Sequence, residues 1–414
     1  MLHATELLGA EVYDARGNFV GRARELFIEP AEQPNRIARI LLARRPYQPL
    51  MARYDHVSFV APGTIRLNVD ERLLEVYEPN ESWLAVRKDL LDQQIIDTEG
   101  RKVVRVNDVE LAEQRQNGTV ELRVTQVDVG LTGAVRRLLQ GVVAPSLIRR
   151  LQMKLPTRQI RWEFVNLVEP DPMRRIKLRI SSDRIARLHP ADLADIMEEL
   201  APAERQAIME SLPDETAAEA LVELDTRVKR EIVEEMGPEK AADIIEEMAP
   251  DEAADLLAGL PPETSQEVLE EMPRAEAQEV RELLAFDENT AGGMMNPVFV
   301  FMGEEATRDE VVDWIRTNPD VNSEQLDAVF LINREAQIAG TVAVTRLLLA
   351  GPGQRMNELR YDPVLSVAAD AAEKEVFEMF DKYNLRALGV VDEAQHPIGV
   401  ITVDDVVHRL WKRG

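Results

Sequence analysis

Between residues 188 and 284, one phase of a twelve-residue period is held by Leu188, Leu200, Leu212, Leu224, Met236, Met248, Leu260, Met272 and Leu284. Pro190, Pro202, Pro238, Pro250 and Pro262 stand two positions after several of them. Proline is accepted in the first turn of a helix but not in its interior, where it lacks the N–H and clashes with the preceding turn, so each marks the start of a short helix. Inside the units the apolar residues fall at helical spacing: Leu193, Ile196, Met197 and Leu200; Ile244, Ile245 and Met248; Leu256, Leu257 and Leu260. A helix of about ten residues buries such a stripe only against its neighbours, so the period predicts a winding array of short helices over residues 180–290.

The array is also where the charge lies. The formal net charge of the 414-residue chain is -26, yet residues 1–179 hold 28 basic and 24 acidic side chains, whereas residues 180–290 hold 9 and 31. Glu198-Glu199, Glu234-Glu235, Glu246-Glu247 and Glu270-Glu271 come just before the closing Leu or Met, near helix C-termini, where the macrodipole disfavours negative charge by a few tenths of a kcal/mol. Two readings stay open: a solvated face that keeps the array in solution, or an anionic surface that attracts a divalent cation or a basic partner. General nucleic-acid binding is not expected, because it needs clustered Lys and Arg to displace counterions.

Cysteine is absent, which excludes disulfides, thiolate metal sites and Cys nucleophiles and suits a reducing cytoplasm. The five histidines are scattered and no Ser or Lys stands in a nucleophile motif, so no enzyme is expected. The first residues lack the pattern of a secretion signal, and apolar runs such as IAGTVAV fall short of the ~20 residues that span a bilayer. A cytoplasmic chain without a transmembrane segment is the expectation. At roughly 150 residues per domain, the length predicts several domains.

The first 170 residues follow a strand period. LLGAEVYDARGNFVGRARELFI alternates around Asp14 and Gly17 as a hairpin does, and an offset of 83 finds it again: Val12, Asp14, Gly17, Val20 and Leu26 correspond to Ile95, Asp97, Gly100, Val103 and Val109. RIARILLAR, TIRLNV and TVELRVTQVDV continue the two copies as strands. These motifs resemble the PRC-barrel family, which implies two small β-barrels, residues 1–80 and 88–170, that dock onto a protein partner. The second holds a basic helical insertion at about 131–155, including Arg136, Arg137, Arg149, Arg150 and Lys154. A basic amphipathic helix suits an anionic membrane surface and leaves peripheral membrane association open, but short apolar patches beside the continuous strand-like RQIRWEFVNLV favour a cover over the barrel edge.

Two α/β units close the sequence, about 294–355 and 356–414 within a region 291–414. In the first, Arg308–Ile315 reads as helix, DAVFLIN and AGTVAV as strands; in the second, AAEKEVFEMFDKYN reads as helix, ALGVVD and PIGVIT as strands, VDDVVHRLW as a closing helix. They resemble a pair of CBS domains. That resemblance implies a homodimer and an ATP- or AMP-type nucleotide site of the form Gly-x-x-Thr-x-x-Asp, present here as Gly399, Thr402 and Asp405; the first unit has Gly340, Ala343 and Arg346 instead. Outside such a unit, the same pattern is a strand, a turn and an Asp capping a helix.

The helical array, the ENTAGGMM junction and the CBS pair in this order resemble the cytosolic region of MgtE-type magnesium transporters. The resemblance implies Mg²⁺ between facing carboxylates, with Asp404, Asp405, Asp381, Glu246 and Glu247 as the candidate ligands here. The family's acid three residues after the Asp-Asp pair is replaced by His408, and the acid that ends the helix before ALGVVD by Asn384. The fold class expected is multidomain: two PRC-type β-barrels, an all-α superhelical array and a CBS pair. The function expected is a non-enzymatic sensor of Mg²⁺ or an adenosine nucleotide in which the ligand changes the angle between array and CBS pair. A structural adaptor or an accessory subunit of a magnesium transport system is the alternative.

Overall fold

The computed structural model describes residues 2–44, 47–116, 119–130, 158–169, 171, 173, 183–318, 326–360 and 364–411; the basic insertion expected at about 131–155 lies outside them. The chain divides into two compact units, residues 1–224 and 225–414. This division falls inside the helical array.

In the first unit, β1 (Leu2–His3) and the one-turn α1 (Ala4–Leu7) precede the hairpin of β2 (Glu11–Tyr13) and β3 (Phe19–Ile28). Asp14 closes that hairpin by accepting the N–H groups of Arg16 and Asn18 on Oδ1 at 2.9 and 2.8 Å. Gly17 follows at φ 86°, a conformation open to glycine without steric cost. β4 (Ile37–Ala43), β5 (Leu50–Arg53), β6 (Val57–Ala61), β7 (Thr64–Leu67) and β8 (Glu75–Val76) complete a sheet of order β6-β7-β2-β3-β4-β5-β8, and β9 (Leu84–Ala85) pairs with β3.

The second copy is built from β10 (Gln94–Asp97), β11 (Lys102–Arg105), β12 (Asp108–Gln116), β13 (Thr119–Asp128), β14 (Gln159–Arg161) and β15 (Val165–Leu167). They form the sheets β1-β12-β13-β14 and β11-β10-β15. Asp97 repeats the role of Asp14, accepting the Gly100 N–H at 2.9 Å, and a Cβ on Gly100 would lie 2.3 Å from Asp97 Oδ2. The segment RQIRWEFVNLV is not one strand. A 3-10 turn at Trp162–Phe164 breaks it, as one at Tyr54–His56 separates β5 from β6, and the break sends β14 and β15 to different sheets. One hydrophobic core runs through both copies, joining Val12, Leu26, Ile37 and Ile65 to Ile95, Val109, Leu122 and Val127.

The array begins in this unit with α2 (Pro190–Glu199), α3 (Pro202–Met209) and α4 (Asp214–Glu223), and continues in the second with α5 (Thr226–Glu235), α6 (Pro238–Ile245), α7 (Pro250–Ala258), α8 (Pro262–Glu271) and α9 (Arg274–Leu283). Helices two apart pack together: α2 on α4, α6 on α8, and α7 on both α5 and α9. The residue at the repeating phase is the pivot. Leu200, Leu224, Met236 and Met272 cap their helices with extended backbone, ψ between 144° and 157°, and bury their side chains. After these four helices the chain therefore turns toward the next one while the core stays filled.

Some acids near helix ends have partners. Glu199 accepts the N–H of Val103 on β11 at 3.3 Å, and Asp192 pairs with Arg101 at 2.8 Å, so α2 covers a strand edge. Arg205 donates to the Met197 and Leu200 carbonyls at 3.0 Å each, and Arg281 to the Leu269 carbonyl at 3.0 Å, which places cations at helix C-termini.

The second unit continues with two α/β modules of the same wiring. The first has β16 (Phe301–Gly303), α10 (Arg308–Thr317), β17 (Ala328–Ile332), β18 (Ile338–Ala343) and α11 (Val344–Leu349); the second has β19 (Ser366–Ala368), α12 (Glu373–Tyr383), β20 (Ala387–Val391), β21 (Pro397–Thr402) and α13 (Val403–Trp411). In each, the first strand runs parallel to the second and the second antiparallel to the third, with a register shift near the end of the middle strand. The sheets meet at Gly389, where a Cβ would lie 2.6 Å from Ile338 Cδ1.

Candidate cation and nucleotide site

The array is stitched onto the second α/β module by residues 287–296. Asp287 Oδ1 accepts the Asn289 N–H at 2.9 Å, and the Thr290 hydroxyl donates to the Asp287 carbonyl at 2.7 Å. Gly293 is required by close approach, since its Cβ would stand 2.3 Å from that carbonyl oxygen. The N–H groups of Ala291 and Gly292 donate to the carbonyls of Ala371 and Ala369 at 2.8 Å each, and Asn296 and Val400 exchange two backbone hydrogen bonds at 2.8 and 2.9 Å.

This strap brings the first turn of α7 within electrostatic reach of the first turn of α13. Asp251 is on α7, and burial pushes its carboxyl well above the usual range; the charges of Asp405, Glu252 and Asp255 act in the same direction. The residue as a whole is half-exposed, but Oδ1 is sealed from solvent and has no hydrogen-bond partner. Asp405 is also raised, by burial first and by Asp404, against the lowering effect of its bonds to Thr402 and of Arg409. Both acids sit in helical first turns, whose exposed N–H groups and macrodipole offset part of the negative charge.

Of the expected residues, Thr402 and Asp405 form a capping box: Asp405 Oδ2 accepts the Thr402 N–H at 2.7 Å and its hydroxyl at 2.8 Å. A ribose at this place would compete with that cap. At Gly399 the space a Cβ would take is filled by Met295, 2.7 Å away at Sδ. Asp404 is exposed beside Asp405, Asp381 is exposed on α12, Glu246 is the half-buried C-cap of α6, and Glu247 next to it is exposed. Among the described residues, no three or more Asp, Glu or His side chains converge as a metal cluster. Asp251 has one sealed oxygen without a hydrogen-bond partner, and the charge of the Asp405 carboxylate acts on it.

Asp251, Asp255 and Arg409 were not singled out by sequence. Asp251 and Asp255 are one turn apart in PDEAADLLAGL, but similar acid spacings occur elsewhere in the array and hide the pair. Arg409 Nη2 reaches Asp255 at 3.1 Å from a helix whose first turn is acidic. The loss of an acid at Asn384 has a local cause: it is the C-cap of α12 in a left-handed conformation, φ 50° and ψ 51°, which Asn adopts more readily than most residues.

An array of short helices strapped to a pair of CBS-type modules is the class this architecture defines. Residues 188–289 match the family model of the MgtE intracellular N domain, and residues 357–412 that of the CBS domain. The magnesium transporter MgtE of Thermus thermophilus is 31% identical over 126 residues, 30% of this chain, and that of Bacillus subtilis 26% over 125 residues. The chain spans 28% of the length of these curated relatives. Among solved structures, the cytosolic domain of the Mg²⁺ channel MgtE in complex with ATP aligns at TM-score 0.52 and 28% identity, covering 56% of this chain and 94% of that one. The soluble part of a magnesium transporter has the same fold, at TM-score 0.52, 23% identity, and 56% and 91% coverage. The C-terminal part of the chain is thus a relative of the cytosolic region of MgtE-type magnesium transporters. No helix among the described residues is long and apolar enough to cross a membrane.

Proposed function

We propose that this chain is a non-enzymatic regulatory protein of the cytoplasm whose acidic contact between α7 and α13 responds to Mg²⁺. The carrying observation is Asp251: an unpartnered, sealed carboxylate oxygen near a second buried carboxylate, Asp405. A divalent cation with its retained waters removes the repulsion and satisfies that oxygen, and this stabilises the packing of the array on the second module. Asp404 is close enough to act on Asp405 and adds an outer anionic ligand for a hydrated ion. Glu246, Glu247 and Asp381 contribute to the general field that concentrates cations.

Gly399, Thr402 and Asp405 are the proposed nucleotide-binding set, with ATP or an AMP-type nucleotide as ligand; the ATP complex of the related cytosolic domain supports this half of the reading. The PRC-type β-region is the docking module for a protein partner, and the CBS pair the homodimer contact. Isothermal titration calorimetry of the native chain and of Asp251→Asn with Mg²⁺ tests the cation reading. Saturable heat in the native chain that D251N loses is the expected result; equal heats in both sink the assignment.

A further inference from the structure

The contact between array and CBS module already contains a cation. Arg409 Nη1 donates to the Glu288 carbonyl at 2.7 Å, and Nη2 donates to the Gly293 carbonyl at 3.0 Å and to the Asp255 carboxylate at 3.1 and 3.4 Å. Its side chain is only 18% exposed. One guanidinium thus ties together three segments: helix α7, the 287–296 strap and helix α13. It does so amid Asp251, Glu252, Asp255, Asp404 and Asp405, the acids whose mutual repulsion opposes closure.

A guanidinium is charged at every accessible pH and presents its donors in a fixed planar fork, so it neutralises and orients at once. A bound metal ion leaves when its bulk concentration falls below its dissociation constant. A tethered cation does not.

We propose that Arg409 is a built-in counter-cation that keeps α7, the strap and the second module closed when divalent cations are absent. The consequence for mechanism is a division of labour. Arg409 on Asp255 sets the closed arrangement, and a divalent ion at Asp251 and Asp405 adds stability to an arrangement already made. A large swing of α5–α9 away from the CBS pair on chelation, the motion expected from the charge alone, is therefore not how this chain responds. The divalent half of this division rests on the function proposed above, whereas the arginine half stands without it.

The test is hydrogen exchange of the full-length chain, native, Arg409→Ala and Asp255→Asn, in EDTA and in millimolar Mg²⁺. The readout is the protection of the strap amides of Ala291 and Gly292 and of the Glu373 amide, which bonds to the Asn289 carbonyl. In the native chain these amides should stay protected in EDTA, with Mg²⁺ adding only a modest further protection. In R409A they should exchange at least about tenfold faster in EDTA, with D255N changed in the same direction. Far-ultraviolet dichroism of each variant reports whether the fold is retained; should R409A lose helicity, D255N, which keeps every backbone bond of the strap, carries the comparison. Native strap amides that open in EDTA overturn the proposal, as does a folded R409A that stays protected there. If R409A opens in EDTA and Mg²⁺ restores protection, both readings stand. If it opens and Mg²⁺ restores nothing, the arginine clamp stands and the Mg²⁺ site falls.

Discussion

Glu25 shows how one side chain sets a pH dependence. It lies on β3, 8% exposed, and accepts the N–H groups of Leu26 and Arg87 at 3.0 and 2.7 Å. Burial raises its pKa above 4.5 despite those bonds. The folded state then holds its proton to a higher pH than the unfolded chain does, so this group's contribution to stability is complete below about pH 4.5 and is lost as pH rises through the raised value. Glu25→Gln keeps the acceptor and removes the charge. Urea unfolding should find E25Q at least as stable as the native first unit at pH 7, with the advantage gone at pH 4. Asp251→Asn is a parallel case for the second unit: thermal melting in EDTA should rise by a few degrees, because a carboxyl with one sealed, unpartnered oxygen becomes a neutral amide, and added Mg²⁺ should no longer raise it. The Thr402–Asp405 cap was legible in sequence because its spacing is local. Asp251 was not, since its sealed oxygen and the charge of Asp405, 154 positions away, are properties of the fold and not of local spacing.

Elements of this protein are short, and their stability comes from what covers them. Leu260 closes the unit of α7 and is 6% exposed. Leu260→Ala should cost the second unit about 2–5 kcal/mol in denaturant unfolding, while Leu349→Ala, at a position 88% exposed, should cost little. Gly293→Ala should destabilise the same unit for another reason, since the new methyl meets the Asp287 carbonyl, which the Asx turn of Asp287 and the Thr290 hydroxyl hold in place. At this scale the sequence was highly legible: the twelve-residue period follows the array helices, five of the eight begin on a proline, and the strand and helix runs of both α/β modules lie where alternation and amphipathicity put them. The 3-10 turn at Trp162–Phe164 was hidden because aromatic and β-branched residues read as strand whether or not the backbone turns a corner between sheets.

For the molecule as a whole, sequence motifs marked repeats well and cores badly. The 83-residue offset identified two β copies, but a hydrophobic core is a property of contacts, and β1 pairs with β12 of the second copy. The array likewise starts within the first compact unit, where α2 covers the edge of β11. A fragment of residues 1–170 should therefore melt at a lower temperature than one of residues 1–224, by differential scanning fluorimetry, because it leaves that strand edge open and loses the Arg101–Asp192 pair. Equal melting temperatures would mean that the helices add nothing to the β-region.

Leu200, Leu224, Met236 and Met272 are each at once the end of one helix and a core side chain. The position of each along the chain and its direction into the core are thus locked together, as a codon is locked to its frame. One residue added within a helix would turn its cap by about 100° relative to the apolar stripe before it, out of the core, until a compensating loss restored the phase. Lengthening or shortening this array without loss of fold is therefore a matter of whole twelve-residue steps.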